Sequence, residues 1–292
     1  MIEILRTLNQ FDVFRKNLRP GTIGFVPTMG NLHKGHMSLV KESLRHNDNT
    51  IVSIFVNPKQ FGPSEDFEKY PRTLGRDNQT LKELYRQEEF KGKLLTIFAP
   101  ENPEEVFPPG FSTKISVGDL TNKLCGINRP GHFDGVTTVV YRLFSIVKPH
   151  KAYFGQKDYQ QYLVIKKMME DLKLDIQLVP MPTKRDADGL ALSSRNQYLN
   201  KDDKLVALSL PSTLESIKEL IRNNYWPESY EKALNFASMT KESPAWDYLE
   251  ILDAKTLEEP TERTHTIILA GALKVGRTRL IDNKLVEIKY AR

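Results

Sequence analysis

Two histidines three residues apart, His33 and His36, sit in the stretch Gly24-Phe25-Val26-Pro27-Thr28-Met29-Gly30-Asn31-Leu32-His33-Lys34-Gly35-His36. At that spacing both project from one helical turn toward a common ligand. The apolar residues before them read as a buried strand and those after them as a helix. A helix N-terminus that follows a parallel strand offers free N–H groups and positive dipole potential, which suits phosphate. Gly30 and Gly35 let backbone and ligand approach closely. The spacing is neither G-x-G-x-x-G nor the Walker phosphate loop. Two histidines without a third ligand make a poor zinc site. A structural role is the alternative for either histidine alone; the pair with its glycine at a strand-to-helix switch favours a nucleotide.

The elements that must position this turn follow from periodicity. Thr22–Pro27, Thr50–Val56 and Leu94–Ala99 are short, nearly all apolar runs, as strands covered on both faces are. Asn9–Arg19, His36–His46 and Asp77–Phe90 carry apolar residues at helical spacing. Proline-marked residues 100–129 predict loops and short pieces. Gly135–Val147 then predicts a buried helix, Ala152–Phe154 a strand, Lys157–Leu172 a helix and Asp175–Val179 a strand. Strands alternating with helices predict an α/β, Rossmann-like doubly wound parallel sheet. Beyond about residue 185 the texture changes. Helices over Asp202–Asn223 and Tyr230–Phe236, with strands at Tyr248–Leu252, Thr266–Ala272 and Leu285–Lys289, predict a second, smaller α+β domain. The expected division is 1–184 and 185–292.

The 292 residues carry a formal net charge of +5 and one cysteine, Cys125. An intrachain disulfide and a cysteine-rich zinc site are therefore excluded. No apolar run approaches the roughly 18 residues that span a bilayer, and Met1–Arg6 lacks a signal-peptide pattern. A cytoplasmic chain with no membrane role is expected. The basic excess falls mainly in residues 1–150, without a run of five like charges or interleaved aromatics, so no nucleic-acid partner is expected. A small anion fits that excess equally well.

The His-x-Gly-His pattern resembles the HIGH signature of nucleotidylyl-transferases, which attack the α-phosphate of ATP and expel pyrophosphate. Their second signature is a phosphate-gripping loop late in the fold, and Leu192-Ser193-Ser194-Arg195-Asn196 occupies such a place. Alone it is nearly uninformative; beside the histidine turn it gains meaning, since hydroxyls and a guanidinium hold polyphosphate through charge-assisted hydrogen bonds. Further segments narrow the resemblance: Val52–Gly62, Tyr70–Leu74, Arg129–Phe133, Phe154–Gln161, Asp188–Asn196 and the closing Leu280-Ile281-Asp282-Asn283. In this order they resemble the pantoate–β-alanine ligase family over essentially the whole chain.

That resemblance implies ATP-dependent joining of pantoate to β-alanine through a pantoyl adenylate, with release of pyrophosphate and then AMP. It implies Met29, Gly30, Asn31, Leu32, His33, Lys34, Gly35 and His36 at ATP, with His36 and His33 as the catalytic pair. Gln60 and Gln161 would bind pantoate, and Gln60 would border the β-alanine pocket. Gly155, Gln156, Lys157 and Asp158 would hold the nucleoside and phosphates; a helix cap is the alternative for Asp158, and a solvated lysine for Lys157. Leu192, Ser193, Ser194 and Arg195 would clamp polyphosphate, and the Lys184 backbone would face adenine. Mg²⁺ would bridge phosphate oxygens with Asp77 helping through water. Pro58–Arg72 resembles a mobile flap, and a homodimer is implied. Gln156 stands where the family commonly has glutamate, and Arg76 where relatives often carry an acid. Other expectations compatible with the histidine turn are a different nucleotidyl transfer, an RNA-associated module, and nucleotide binding without turnover.

Overall fold

The computed structural model describes residues 2–62 and 67–290. The chain divides into two units, Met1–Gln156 with Gln160–Pro182, and Lys157–Tyr159 with Thr183–Arg292. The first unit holds strands β1 (Glu3–Leu5), β2 (Ile23–Thr28), β3 (Asn49–Ile54), β4 (Leu94–Phe98), β5 (Lys151–Gly155) and β6 (Gln177–Met181). All pair in parallel in the order β1-β4-β3-β2-β5-β6. From β2 the chain builds outward through β3 and β4 on one side and through β5 and β6 on the other. That reversal leaves a crevice beyond the carboxyl end of β2, the place where open α/β sheets bind ligands.

Helices α1 (Leu8–Asn17), α2 (Lys34–His46), α3 (Leu74–Tyr85), α4 (Cys125–Asn128), α5 (His132–Val147) and α6 (Tyr159–Asp171) accompany the sheet. Side-chain alternation along β2 shows which face each covers. A Cβ at Gly24 would lie 2.1 Å from Ser43 Oγ and 2.4 Å from Asn47 Nδ2, so α2 is seated against that face. Phe25, the next residue, meets Phe144 of α5 on the other face, with ring centroids 6.2 Å apart. Val26, Val40, Leu44, Val52, Leu81 and Ile97 form the core under α2 and α3. The expected doubly wound sheet is thus present.

The second unit contains α7 (Lys201–Ala207), α8 (Ser209–Arg222), α9 (Glu228–Lys241) and an antiparallel sheet β7 (Trp246–Asp253), β8 (Thr266–Val275), β9 (Thr278–Glu287). Leu210, Leu214, Ile217 and Ile221 recur along one side of α8 and pack with Leu249, Ile267 and Leu269 of the sheet.

Several expectations need correcting. The single helix expected over 202–223 is two, because Pro211 has no N–H to donate to the carbonyl four residues back and the helix breaks near Leu208. The strand expected at 285–289 begins at Thr278, where Arg279, Asp282 and Asn283 hid its pattern. Strand β6 runs through Pro180, which an edge strand tolerates. Helix α3 starts at Leu74 and ends at Tyr85, and β1 was not expected at all.

On α8, Glu215 takes hydrogen bonds from Lys218 and from Lys284 of β9. These bonds hold its carboxyl down from an ordinary 4.5 to about 2, against a burial that raises it. A depressed folded value stabilises the native state above the ordinary value, and that contribution disappears as pH falls toward about 2. The side chain is 43% exposed, so screening limits the contribution to about 1 kcal/mol or less. In unfolding titrations, the stability difference between wild type and Glu215→Gln is expected above about pH 4.5 and to vanish near pH 2. A constant difference across that window would contradict this.

Candidate functional site

The histidine turn lies at the carboxyl end of β2, and its shape has an identifiable cause. Gly30 has φ +85° and Asn31 φ +50°, two successive residues in the left-handed region. Thr28 Oγ1 accepts from the Gly30 N–H at 3.2 Å and donates to the Ser53 carbonyl at 2.7 Å. The N–H groups of Asn31 and Leu32 both donate to the Asp77 carboxylate, at 3.0 and 2.8 Å, and the Thr73 hydroxyl adds a third bond at 3.1 Å. Asp77 is 1% exposed. A Cβ on Gly30 would lie 3.2 Å from Asp77 Oδ2 and 3.1 Å from Ile54 Cγ2, so close approach and positive φ both call for glycine there. Asp77 was expected to help a metal through water; in the structure its oxygens brace the turn. Among the described residues no group of three His, Cys, Asp or Glu side chains could hold a metal ion.

Helix α2 then opens with a capping box made of imidazoles. His33 is the N-cap, with extended φ −130° and ψ 175°, and its Nδ1 accepts from the Gly35 N–H at 3.1 Å. His36 Nδ1 accepts from the His33 N–H at 3.4 Å, and the rings lie 4.1 Å apart. Each Nδ1 that accepts places the proton of the neutral ring on Nε2. Both imidazoles therefore present an N–H donor, at a helix end that already favours anions. Lys34 is exposed, whereas both histidines are half-buried.

Gln60 ends the short turn Pro58–Gln60 beyond β3. Its Oε1 accepts from Asn57 Nδ2 at 3.1 Å, and its Nε2 lies 2.8 Å from Met29 Sδ. The amide is oriented so that its NH₂ end points away from Asn57 and toward the turn after β2. His132 Nδ1 lies 2.8 Å from the Gln60 carbonyl and donates to it, leaving Nε2 to accept from Arg129 at 2.9 Å. Asn57, 1% exposed, also donates to the Gly135 carbonyl at 3.0 Å. Asn57 had no expected place here; His132, between Gly131 and Phe133, reads from the sequence as a packing or loop-bracing residue, and it braces the Gln60 turn. Asn57 precedes Gln60 by three residues in a proline-marked turn, a spacing that would have paired them. Gln161 is half-buried in the first turn of α6, shortly after β5, the strand neighbouring β2. Its neighbour Gln160 is committed to the fold, accepting from the Cys125 N–H and donating to the carbonyls of Leu120 and Lys123. Residues 63–66 of the expected flap lie outside the described residues. An open groove of about 910 Å³ sits at the amino ends of β3 and β4, lined by residues such as Asn9, Arg19, Asn49 and Lys93, and holds none of these groups.

Gly155 closes β5 and Gln156 follows it in the first unit, while Lys157 and Asp158 cluster with the second. Lys157 is 18% exposed along its side chain, with Nζ 3.9 Å from Asp158 Oδ1. Also in the second unit, Lys184 and Leu192 face each other: the Leu192 N–H donates to the Lys184 carbonyl at 2.8 Å. Ser193 Oγ accepts from the Arg195 N–H at 3.2 Å, Ser194 opens a short 3₁₀ turn, and the Arg195 side chain is exposed.

Asp77→Asn keeps the shape of the brace but offers an NH₂ group toward N–H donors. It is expected to lower unfolding free energy by about 1–3 kcal/mol and to speed amide exchange at Asn31 and Leu32 above the rest of the sheet. Unchanged exchange at those two amides would contradict the brace.

The family model described as pantoate-beta-alanine ligase matches residues 3–285. A pantothenate synthetase of Acetivibrio thermocellus is 45% identical over 289 residues, 99% of each chain. One from Moorella thermoacetica is 48% identical over 272 residues, 91% of this chain and 92% of its own. Among solved structures, a pantothenate synthetase from Thermus thermophilus superposes with TM-score 0.86 at 40% identity, covering 97% of this chain and 99% of that one. The Francisella tularensis pantoate-beta-alanine ligase, solved in complex with beta-gamma ATP and beta-alanine, gives TM-score 0.75 at 34% identity and 98% coverage of both. Identity of this order along nearly the full length, on a sheet whose switch point carries the two-histidine turn, makes the chain a member of the pantoate–beta-alanine ligase family.

Proposed function

We propose that the chain condenses pantoate with β-alanine, driven by cleavage of ATP. A pantoate carboxylate oxygen attacks the α-phosphorus; the bond from phosphorus to the bridging oxygen breaks, and pyrophosphate departs. The β-alanine amine then attacks the acyl carbon of the mixed anhydride, the bond to AMP breaks, and the amine gives up a proton. A free carboxylate is a poor acyl donor, whereas AMP is a competent leaving group, so the first step activates the second.

The observation that carries this reading is the histidine capping box. The Nδ1 acceptance by His33 and His36 places the proton of each neutral ring on Nε2, at a helix N-terminus. Donors fixed before the reaction stabilise charge developing on the departing phosphate without reorganising. His36 is proposed as the main donor and His33 as its neighbour on the same phosphates, with Met29–Leu32, Lys34 and Gly35 contributing backbone around ATP. Gln60, its carbonyl oxygen occupied by Asn57, offers NH₂ to the acceptor oxygens of pantoate. A neutral amide orients that carboxylate without suppressing its nucleophilicity as a lysine would. Gln161 is proposed for the pantoate hydroxyls. For the nucleotide, Gly155, Gln156 and Asp158 are proposed at the nucleoside and Lys184 near adenine. Lys157 and the Leu192–Arg195 loop are proposed at the phosphates.

Mg²⁺ is proposed to accompany ATP and would offset phosphate charge; Asp77, whose oxygens already accept from the backbone, would assist only through water. The resemblance supports a homodimer and a cytoplasmic location; no helix among the described residues is long and apolar enough to cross a membrane.

Pantoate-dependent exchange of labelled pyrophosphate into ATP is expected, followed by AMP release that requires β-alanine. Exchange with some other acid and none with pantoate would refute the assignment. His36→Ala is expected to slow exchange about 10²–10³-fold, the cost of one preorganised donor, with a melting transition close to wild type. Near wild-type exchange would remove His36 from the mechanism.

A further inference from the structure

The segment Leu280-Ile281-Asp282-Asn283 has no part in the chemistry above, yet its two polar residues are buried, 2% and 8% exposed. They lie on β9 opposite Gly271 and Ala270 of β8. A sheet interior is a costly place for a carboxylate unless it is fully partnered. Asp282 is partnered by Arg185, whose Nη1 and Nη2 meet Oδ2 and Oδ1 at 2.5 and 2.9 Å. Such a fork-to-fork pair fixes orientation as well as charge. Arg185 also donates to the carbonyls of Gly189 at 3.0 Å and Asn283 at 3.4 Å, so its donors are engaged within the protein. The Asn283 N–H returns to Asp282 Oδ1 at 2.8 Å.

From this anchored position Asn283 reaches the other way. Its Nδ2 donates to the carbonyl of Lys157 at 2.8 Å. Two residues on, Tyr159 donates its hydroxyl to the Ala254 carbonyl at 2.9 Å. Both bonds run to the second unit, with which residues 157–159 cluster. On its opposite side, Arg185 stands at the base of a hairpin closed by its bridge to Ala191 and by the Leu192 N–H to the Lys184 carbonyl. Ser193–Arg195 issue directly from that hairpin. One short piece of strand therefore fixes the backbone of Lys157 and the base of the Ser-Ser-Arg loop. A peptide plane held by a buried amide cannot turn without breaking that bond, so the direction in which Lys157 leaves the backbone is set by Asn283.

Resting on the functional reading above, we propose that Asn283, anchored by the Asp282–Arg185 pair, is a positioning residue that aims Lys157 at the ATP phosphates. None of the three touches substrate. Arg185 is the internal cation of the hairpin, and Arg195 is the one presented to ligand.

The test uses the full chain, with two readouts: binding of a non-hydrolysable ATP analogue, and the pantoate KM in pyrophosphate exchange. Asn283→Asp keeps the side-chain shape but cannot donate to a carbonyl. Because it sets a second carboxylate beside Asp282, Asn283→Ser serves as a neutral variant lacking the reach. Either is expected to weaken the ATP analogue about tenfold, the effect of one buried hydrogen bond, with the pantoate KM within about twofold of wild type. Combined with Lys157→Ala, either is expected to bind the analogue no more weakly than Lys157→Ala alone, since its effect passes through Lys157. Additive losses, a parallel rise in the pantoate KM, or unchanged analogue binding in the serine variant would overturn the positioning role. Absence of pantoate-dependent exchange in the wild-type chain would instead overturn the functional reading, and this proposal with it.

Discussion

The turn after β2 contains two consecutive left-handed residues, and such a turn aims successive N–H groups at one point. In many proteins that concavity binds an anion from solution. Here the chain supplies its own anion. Asp77 comes from the first turn of α3, 46 residues from Asn31 and 45 from Leu32, and accepts from both. The consequence is chemical as well as structural. Because an internal carboxylate occupies the nest, those two N–H groups are already satisfied before α2 opens. Gly30 suits this arrangement, since a side chain there would crowd the carboxylate and Ile54 at a positive φ.

The imidazoles show how folding and chemistry share the same side chains without competing. A capping box usually pairs a hydroxyl with a carboxylate or amide. His33 and His36 fill both places, each using Nδ1 on the helix end. A Ser/Glu cap would hold the helix as well but would place a carboxylate, an anion, beside the helix N-terminus. Capping through Nδ1 fixes one tautomer of each neutral ring, with its proton on Nε2.

Much of this was legible in the sequence because it is local. The alternation of β-branched runs with helical spacing announced a parallel sheet, and the histidine turn announced its own strand-to-helix setting. Long-range partners were less visible. Asp77 reads as the acid that opens the helix expected over 77–90, and nothing in its spacing reveals that it folds back onto residues 31 and 32. Asn57 was overlooked although it stands three residues from Gln60, because one amide supporting another carries no motif. The extent of β9 was hidden for a related reason: Asp282 and Asn283 are buried by partners far away in sequence rather than by apolar character. Polar residues buried through pairing defeat periodicity, which only counts apolar faces.

The same distinction governs how the basic excess should be understood. Arg185 and Arg195 lie ten residues apart in one loop region, and nothing in composition separates them. Their surroundings do. Arg185 is neutralised by a buried carboxylate and two carbonyls, so it contributes rigidity and no net attraction for a phosphate. Arg195 has an exposed side chain and keeps its charge available. In the first unit Lys41 and Arg45 likewise share Glu89, and Lys93 lies near Asp48. Surface pairs of this kind are worth little to stability, but each removes a cation from the set that can steer a ligand. Net charge therefore overstates the attraction available to ATP. The cations that matter for steering are those the fold leaves without a buried counter-charge, such as Arg195.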